Sequence, residues 1–159
     1  MAYYSDDEQY RYLLHIVWDI GLTGMSVIGL NPSTATELVD DPTLRRVKWF
    51  ARHWGFGSVL MFNAFALRST DPKKLFKHPD PVGPENTVDF ILKLAPSLTV
   101  AAWGTTIQSR KWAHYYRGHD IDEAIPNLHC FQKTASGHPA HPLYLKADLQ
   151  PQLFSYKAD

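Results

Sequence analysis

GMSVIGLNPSTATELVDDPTLRRVKWFARHWGFGSVLMFN, residues 24–63, is the stretch from which the fold is read. MSVIG (25–29) and SVLMFN (58–63) are short apolar runs with strand character, each bounded by glycine or polar residues. Between them TLRRVKWFARHWG sets Leu44, Val47, Phe50, Ala51 and Trp54 at helical spacing, the stripe by which an amphipathic helix packs on a core. Asp41-Pro42 supplies an N-cap and a first-turn proline, and Gly55 ends the helix. Strand, helix and strand in that order predict parallel pairing. The polar connection GLNPSTATELVDDPT (29–43) is long for its place, and long loops on a rigid frame tend to be functional.

The pattern continues outward. LTVAAW (98–103) and LHCF (128–131) have the same strand character, and helical spacing recurs in ENTVDFILKLA (Val88, Ile91, Leu92, Ala95) and TTIQSRKWAHYYRG (Ile107, Trp112, Ala113, Tyr116). The expectation is a single α/β domain over residues 1–159, a three-layer α/β/α arrangement around a central, mostly parallel four-stranded sheet. RYLLHIVW (11–18) is expected as an extra N-terminal edge strand. In such sheets ligands lie beyond the carboxyl ends of the strands. The four loops that leave or follow those ends are GLNPSTA, NAFALRSTDP, WGTT and TASGHPAHPLYL, and all carry polar groups to one edge.

Composition narrows the classes. Of 159 residues 45% are apolar and 20% charged, which suits one globular core. Sixteen basic and sixteen acidic residues cancel, so nucleic-acid binding has to come from a local patch and not from a global field. The one cysteine, Cys130, rules out an internal disulfide and a four-cysteine metal site within a single chain, and fits a reducing, cytoplasmic setting. MAYYSDDEQY has neither a basic nor an apolar leader region, and no apolar run is long enough to span a bilayer. No membrane partner is expected, and the chain is expected to be a monomer.

Four ordered motifs resemble the uracil-DNA glycosylase superfamily. Gly29-Leu30-Asn31-Pro32 is similar to its first motif in the Gly-x-Asn-Pro version. VLMFNAFALR (59–68) resembles the strand ending in Asn-Ala, VAAWGTTIQSRK (100–111) the apolar-Trp-Gly strand, and His141-Pro142-Leu143 the His-Pro-Ser-Pro-Leu loop. NPSTA, DDPT and HPLYL together also resemble an uncharacterised bacterial and phage family, which implies no activity. The superfamily resemblance implies a glycosylase fold and a DNA substrate, duplex or single-stranded. It also implies that Asn63 pairs with a flipped base, that His141 polarises it, and that Leu143 or Tyr144 enters the stack.

The residue chemistry gives each candidate a role and a plainer alternative. Asn31 cannot act as a general base, but its amide can orient a water; alternatively Asn-Pro-Ser-Thr is a turn. Asn63 ends an apolar strand, where an amide needs a partner, either a base edge or a loop backbone. Phe65 would stack on a base or fill the core. A neutral imidazole of His141, or of His138 three residues earlier, can donate to a pyrimidine carbonyl and stabilise the leaving base; both could equally be solvated. With an aspartate of Asp40-Asp41 the two histidines form a rival metal reading. Asp41 reads as the helix cap, leaving Asp40 free to assist Asn31 with water. Ser33 stands where the uracil-specific branch carries a tyrosine, so the pocket is expected to admit a 5-substituted pyrimidine. Arg68 and Lys111, with Lys73, Lys74 and Arg110, are candidate phosphate contacts. The expected activity is hydrolysis of an N-glycosidic bond in DNA without metal or organic cofactor, with Asn31, His141 and Asp40 as the catalytic set. The alternatives are an enzyme acting on a free nucleotide or base, and a non-catalytic base-binding module.

Overall fold

The computed structural model describes residues 1–107 and 109–157. Its elements run β1 (Ala2–Tyr4), β2 (Arg11–Val17), β3 (Gly24–Gly29), α1 (Pro42–His53), β4 (Ser58–Asn63), α2 (Lys73–Lys77), α3 (Val88–Leu94), β5 (Thr99–Ala101), α4 (Arg117–Ala124), β6 (His129–Cys130) and β7 (Gln152–Leu153). One sheet of seven strands joins them in the order β1-β2-β4-β3-β5-β6-β7. Its centre, β4-β3-β5-β6, is parallel, as the sequence predicts. The whole sheet is mixed, because β2 runs antiparallel to β4, β1 to β2, and β7 to β6. The expected four-stranded, mostly parallel sheet is therefore corrected to a mixed one, and RYLLHIV is an inner strand with β1 outside it. The flanks AYY and QL, of three and two residues, are too short to leave a period in the sequence to read.

Helix α1 forms as its sequence dictates. Asp41 caps it, its carboxylate accepting the Leu44 N–H at 2.7 Å, Pro42 takes the first turn, and Leu44, Val47, Phe50 and Ala51 are buried. Gly55 follows with φ of 83°, a left-handed turn that glycine enters without strain. Helix α3 is likewise capped by Thr87. The expected helix over 105–118 is corrected. Gln108 within it lies outside the described residues, 109–116 form turns, and the helix α4 begins only at Arg117. Ile107 and Trp112 stand five apart in sequence, off the helical period, and Trp112 packs on Phe65 and Phe76.

Two buried clusters lie on opposite faces of the sheet. One gathers Val27, Val59, Met61 and Val100 with Leu44, Val47, Phe50 and Ala51 of α1. The other gathers Ile28, Phe62 and Ala101 with Leu75, Ile91 and Ile121 from α2, α3 and α4. Alternation along each strand thus divides its side chains between a single-helix face and a face covered by the remaining helices. No described helix is long and apolar enough to cross a membrane.

Candidate functional site

The parallel strands β3, β4 and β5 end at one edge, and β2, running the other way, begins there. A cavity of about 350 Å³ opens at that edge, between the N-terminus of α1 and the sheet. Its deep wall is Leu14, Val27, Leu44, Val47 and Met61, and its polar lining includes Arg11, Asn31, Ser33, Asp41, Asn63 and His141. An apolar floor with a few converging polar groups is what a small-molecule or base site requires.

Asn63 is the last residue of β4 and is 5% exposed. Its backbone carbonyl accepts from Asn86 Nδ2 at 3.0 Å, and the next carbonyl, of Ala64, accepts from the same nitrogen at 3.2 Å and from Arg117 Nε at 2.9 Å. The strand end is therefore clamped from behind. Asn63 lines the cavity, and no side-chain hydrogen bond ties it to a loop among the described residues. An amide at a cavity wall can give its hydrogen bonds to a ligand or to water.

Asn31 is held differently. Its Nδ2 donates toward the carbonyls of Ser69 at 2.9 Å, Pro32 at 3.2 Å and Leu67 at 3.4 Å. Those bonds tie GLNPS to the loop after β4 and leave Oδ1, an acceptor, for the cavity. Ser33 donates its hydroxyl to Asp41 Oδ2 at 2.8 Å, joining the first loop to the helix cap. Gly29 and Leu30 line the cavity beside them, while Pro32 is buried behind it.

His141 sits at the mouth. Its Nδ1 accepts the Leu143 N–H at 3.3 Å, which assigns the proton of the neutral ring to Nε2. Burial lowers its pKa, against a smaller opposing pull from Asp41, so the neutral ring is favoured near pH 7. Gly104, at φ of 71°, donates its N–H to Pro139 at 2.9 Å and locks the WGTT loop to the histidine loop.

The remaining expected site residues fall elsewhere. Asp40 pairs with Lys48 at 2.7 Å and does not line the cavity, whereas Asp41, read only as a cap, is both cap and cavity wall. Phe65 is fully buried, its ring 5.1 Å from that of Trp112, so it is core and not a stacking platform. His138 faces away. Trp103 donates its indole N–H to the Tyr156 hydroxyl at 2.8 Å, and that hydroxyl lies 3.1 Å from His138 Nδ1. Arg68 donates to the Glu8 carbonyl and covers Tyr4, and Lys111 is exposed in the turns before α4. Leu143 is half-buried and Tyr144 almost fully exposed, beyond the mouth. Among the described residues no three of His, Cys, Asp and Glu gather in a group able to hold a metal ion, so His138 and His141 do not form the rival site.

Sequence reading missed Arg11. It opens an apolar run and looks like an edge residue, yet it is 5% exposed and lines the cavity. The cause is a β-bulge. Tyr3 pairs with Leu13 and Tyr4 with Arg11, so Tyr12 is extra, and the alternation of β2 resets to turn Arg11 to the face of Leu14. The lining threonines Thr43, Thr70, Thr105 and Thr106 were also passed over, since single hydroxyls carry no pattern.

Residues 11–143 match the family model described as Protein of unknown function (DUF1643), and as this is most of the chain, the protein belongs to that family. No curated protein and no solved structure gives a significant match.

Proposed function

We propose that the cavity receives a flipped pyrimidine and that the chain is a DNA glycosylase-like enzyme, of uracil-DNA glycosylase type in fold, hydrolysing the N-glycosidic bond. The observation that carries this reading is Asn63, a 5% exposed amide at a strand end that lines a cavity large enough for a nucleoside. One acceptor and two donors on a rigid strand end match the donor and acceptor edge of a pyrimidine. A base brought to that depth has left the stack, as chemistry on its glycosidic bond demands.

Asn31 supports the second half of the reaction. With Nδ2 tied to carbonyls, Oδ1 accepts from a water and aims its oxygen at C1′. The water oxygen–C1′ bond forms as the C1′–N bond breaks, the base leaves with the electron pair, and the water's proton passes to the base. An amide orients but does not deprotonate, so turnover is slow. His141 donates from Nε2 to the base carbonyl on which negative charge develops. Ser33, held to Asp41, leaves room for a substituent at C5. Leu143 and Tyr144, adjoining His141, are the wedge. The reaction as written takes DNA and water, with no organic cofactor.

The test is direct. Duplexes and single strands carrying uracil, mismatched thymine, hypoxanthine or hydroxymethylated pyrimidine are incubated with the protein and assayed for abasic sites. Release that falls at least tenfold in Asn31→Ala and in His141→Ala supports the reading. No release from any substrate, or equal release by all three proteins, overturns it.

A further inference from the structure

The strongest feature that the reaction above leaves unused is Arg11. A guanidinium has five N–H donors and is always charged. Here it is buried, one Nη1 donates to the Ala35 carbonyl, and Nε has no partner among the described residues. No carboxylate among the described residues forms a salt bridge with it. Asp41 shares the cavity wall and attracts Arg11 from a distance, but it forms no salt bridge with it, and its oxygens accept from Leu44 N–H and the Ser33 hydroxyl. The Tyr4 side chain beside it is a hydrogen-bond partner and not a carboxylate. A buried cation without a paired anion costs several kcal/mol, which an incoming anion relieves. The surroundings are suited to one: Thr43 and Leu44, in the first turn of the twelve-residue helix α1, line the same cavity and bring the positive end of the helix dipole to it.

We infer that the cavity holds a subsite for an oxyanion, a carboxylate or phosphate of the bound molecule, seated on Arg11 beside the first turn of α1. Arg11 is aimed inward by the β2 bulge and is too deep to meet a phosphate of a DNA backbone tracking the surface, so the anion belongs to the molecule that enters. Two sources share this chemistry, a carboxylated pyrimidine ring and a nucleoside monophosphate. The inference rests on the cavity being the ligand site, as in the proposed function, but not on glycosidic hydrolysis.

Matched probe pairs separate the sources. Uracil is compared with its ring-carboxylated form, orotate, and deoxyuridine with its 5′-monophosphate, by calorimetric titration of the whole chain at two salt concentrations. One charged probe is expected to bind roughly tenfold or more tightly than its neutral partner, with the preference lost in Arg11→Gln. The pair that shows the preference identifies the source. Because removing a buried arginine can disturb folding, the wild-type Arg11 Nε–H resonance is followed in parallel, and it is expected to shift with the preferred charged probe and not with its neutral partner. Equal binding within both pairs, a preference that survives in folded Arg11→Gln, or an unmoved Nε–H resonance overturns the inference. Base release from DNA with no charge preference would sink this inference alone. Charge preference without base release would sink the glycosylase reading alone.

Discussion

Gly29 and Asn63 stand opposite one another at the ends of the parallel neighbours β3 and β4, and a Cβ on residue 29 would lie 2.9 Å from Asn63 Oδ1. The amide lies across the glycine, so the missing side chain is what lets it reach over the cavity. Gly29→Ala is expected to push the amide aside while costing only about 1 kcal/mol of stability, since the group that must move is a side-chain tip. Titration with deoxyuridine and thermal melting read the two effects separately. Unchanged affinity in Gly29→Ala, with Asn63→Ala inert as well, would remove Asn63 from the site.

The adjacent aspartates are expected to divide sharply. Asp41→Ala loses the cap bond to Leu44 N–H and the Ser33 hydroxyl bond, a loss of about 1–2 kcal/mol in urea denaturation. Asp40→Ala loses a partly buried pair with Lys48, about 1 kcal/mol or less. The same order is expected for ligand affinity, because only Asp41 lines the cavity. A larger loss from Asp40 would reverse the assignment.

Behind the site, Asn86 and Arg117 both hold the Ala64 carbonyl. Asn86→Ala should cost about 1–3 kcal/mol, for it removes the side-chain donor to the Asn63 carbonyl and one of the two to that of Ala64. With Arg117→Met as the second change, a double-mutant cycle is expected to be non-additive by about 0.5 kcal/mol or more, since the two side chains share one acceptor. Strict additivity would mean that they act on the strand end independently.

How much of this was legible in the sequence follows from which physical signals are local. The βαβ core was, because MSVIG, SVLMFN and the 44–54 stripe each encode burial within a few residues, and Asp41-Pro42 encodes a helix start by itself. Asn63 was legible as an amide out of place at the end of an apolar strand. Arg11 was not, since its inward aim depends on a bulge fixed by pairing with Tyr3 and Tyr4 and not by its own neighbours. Phe65 failed for a related reason: whether an aromatic faces a cavity or the core was decided by Trp112, distant in sequence. Asp41 was legible as the cap, but its place in the cavity wall was not, because a cap that also walls a cavity looks, in sequence, like a cap alone.

Stability should carry the mark of three partly desolvated imidazoles. His15, His138 and His141 each have a pKa lowered from 6.5, with burial the leading cause. As pH falls below about 6.5 the unfolded chain takes up protons that the native fold resists, so stability is full above that value and declines below it. For His141 protonation also ends its acceptance of the Leu143 N–H. Urea denaturation between about pH 8 and pH 5 is expected to show this decline, with a shallower slope when all three are replaced by glutamine. A slope unchanged by the triple replacement would assign the decline to carboxylates instead.

Tyr144 sits at φ of 66° and is 98% exposed, a conformation uncommon for a tyrosine and a placement that returns no burial. Nothing in the fold asks for an aromatic ring there, and asparagine enters the left-handed region more readily. Tyr144→Asn is therefore expected to leave the melting temperature unchanged or slightly raised. Function should separate the two proteins: if the ring fills the gap left by a flipped base, the variant loses affinity for duplex DNA by roughly tenfold, in line with about 1–3 kcal/mol for a base–aromatic contact. Binding of free deoxyuridine in the cavity should stay unchanged. Equal duplex affinity for both proteins, measured at one salt concentration, would leave the ring without a role in DNA and shift weight to a free nucleotide or base as the substrate.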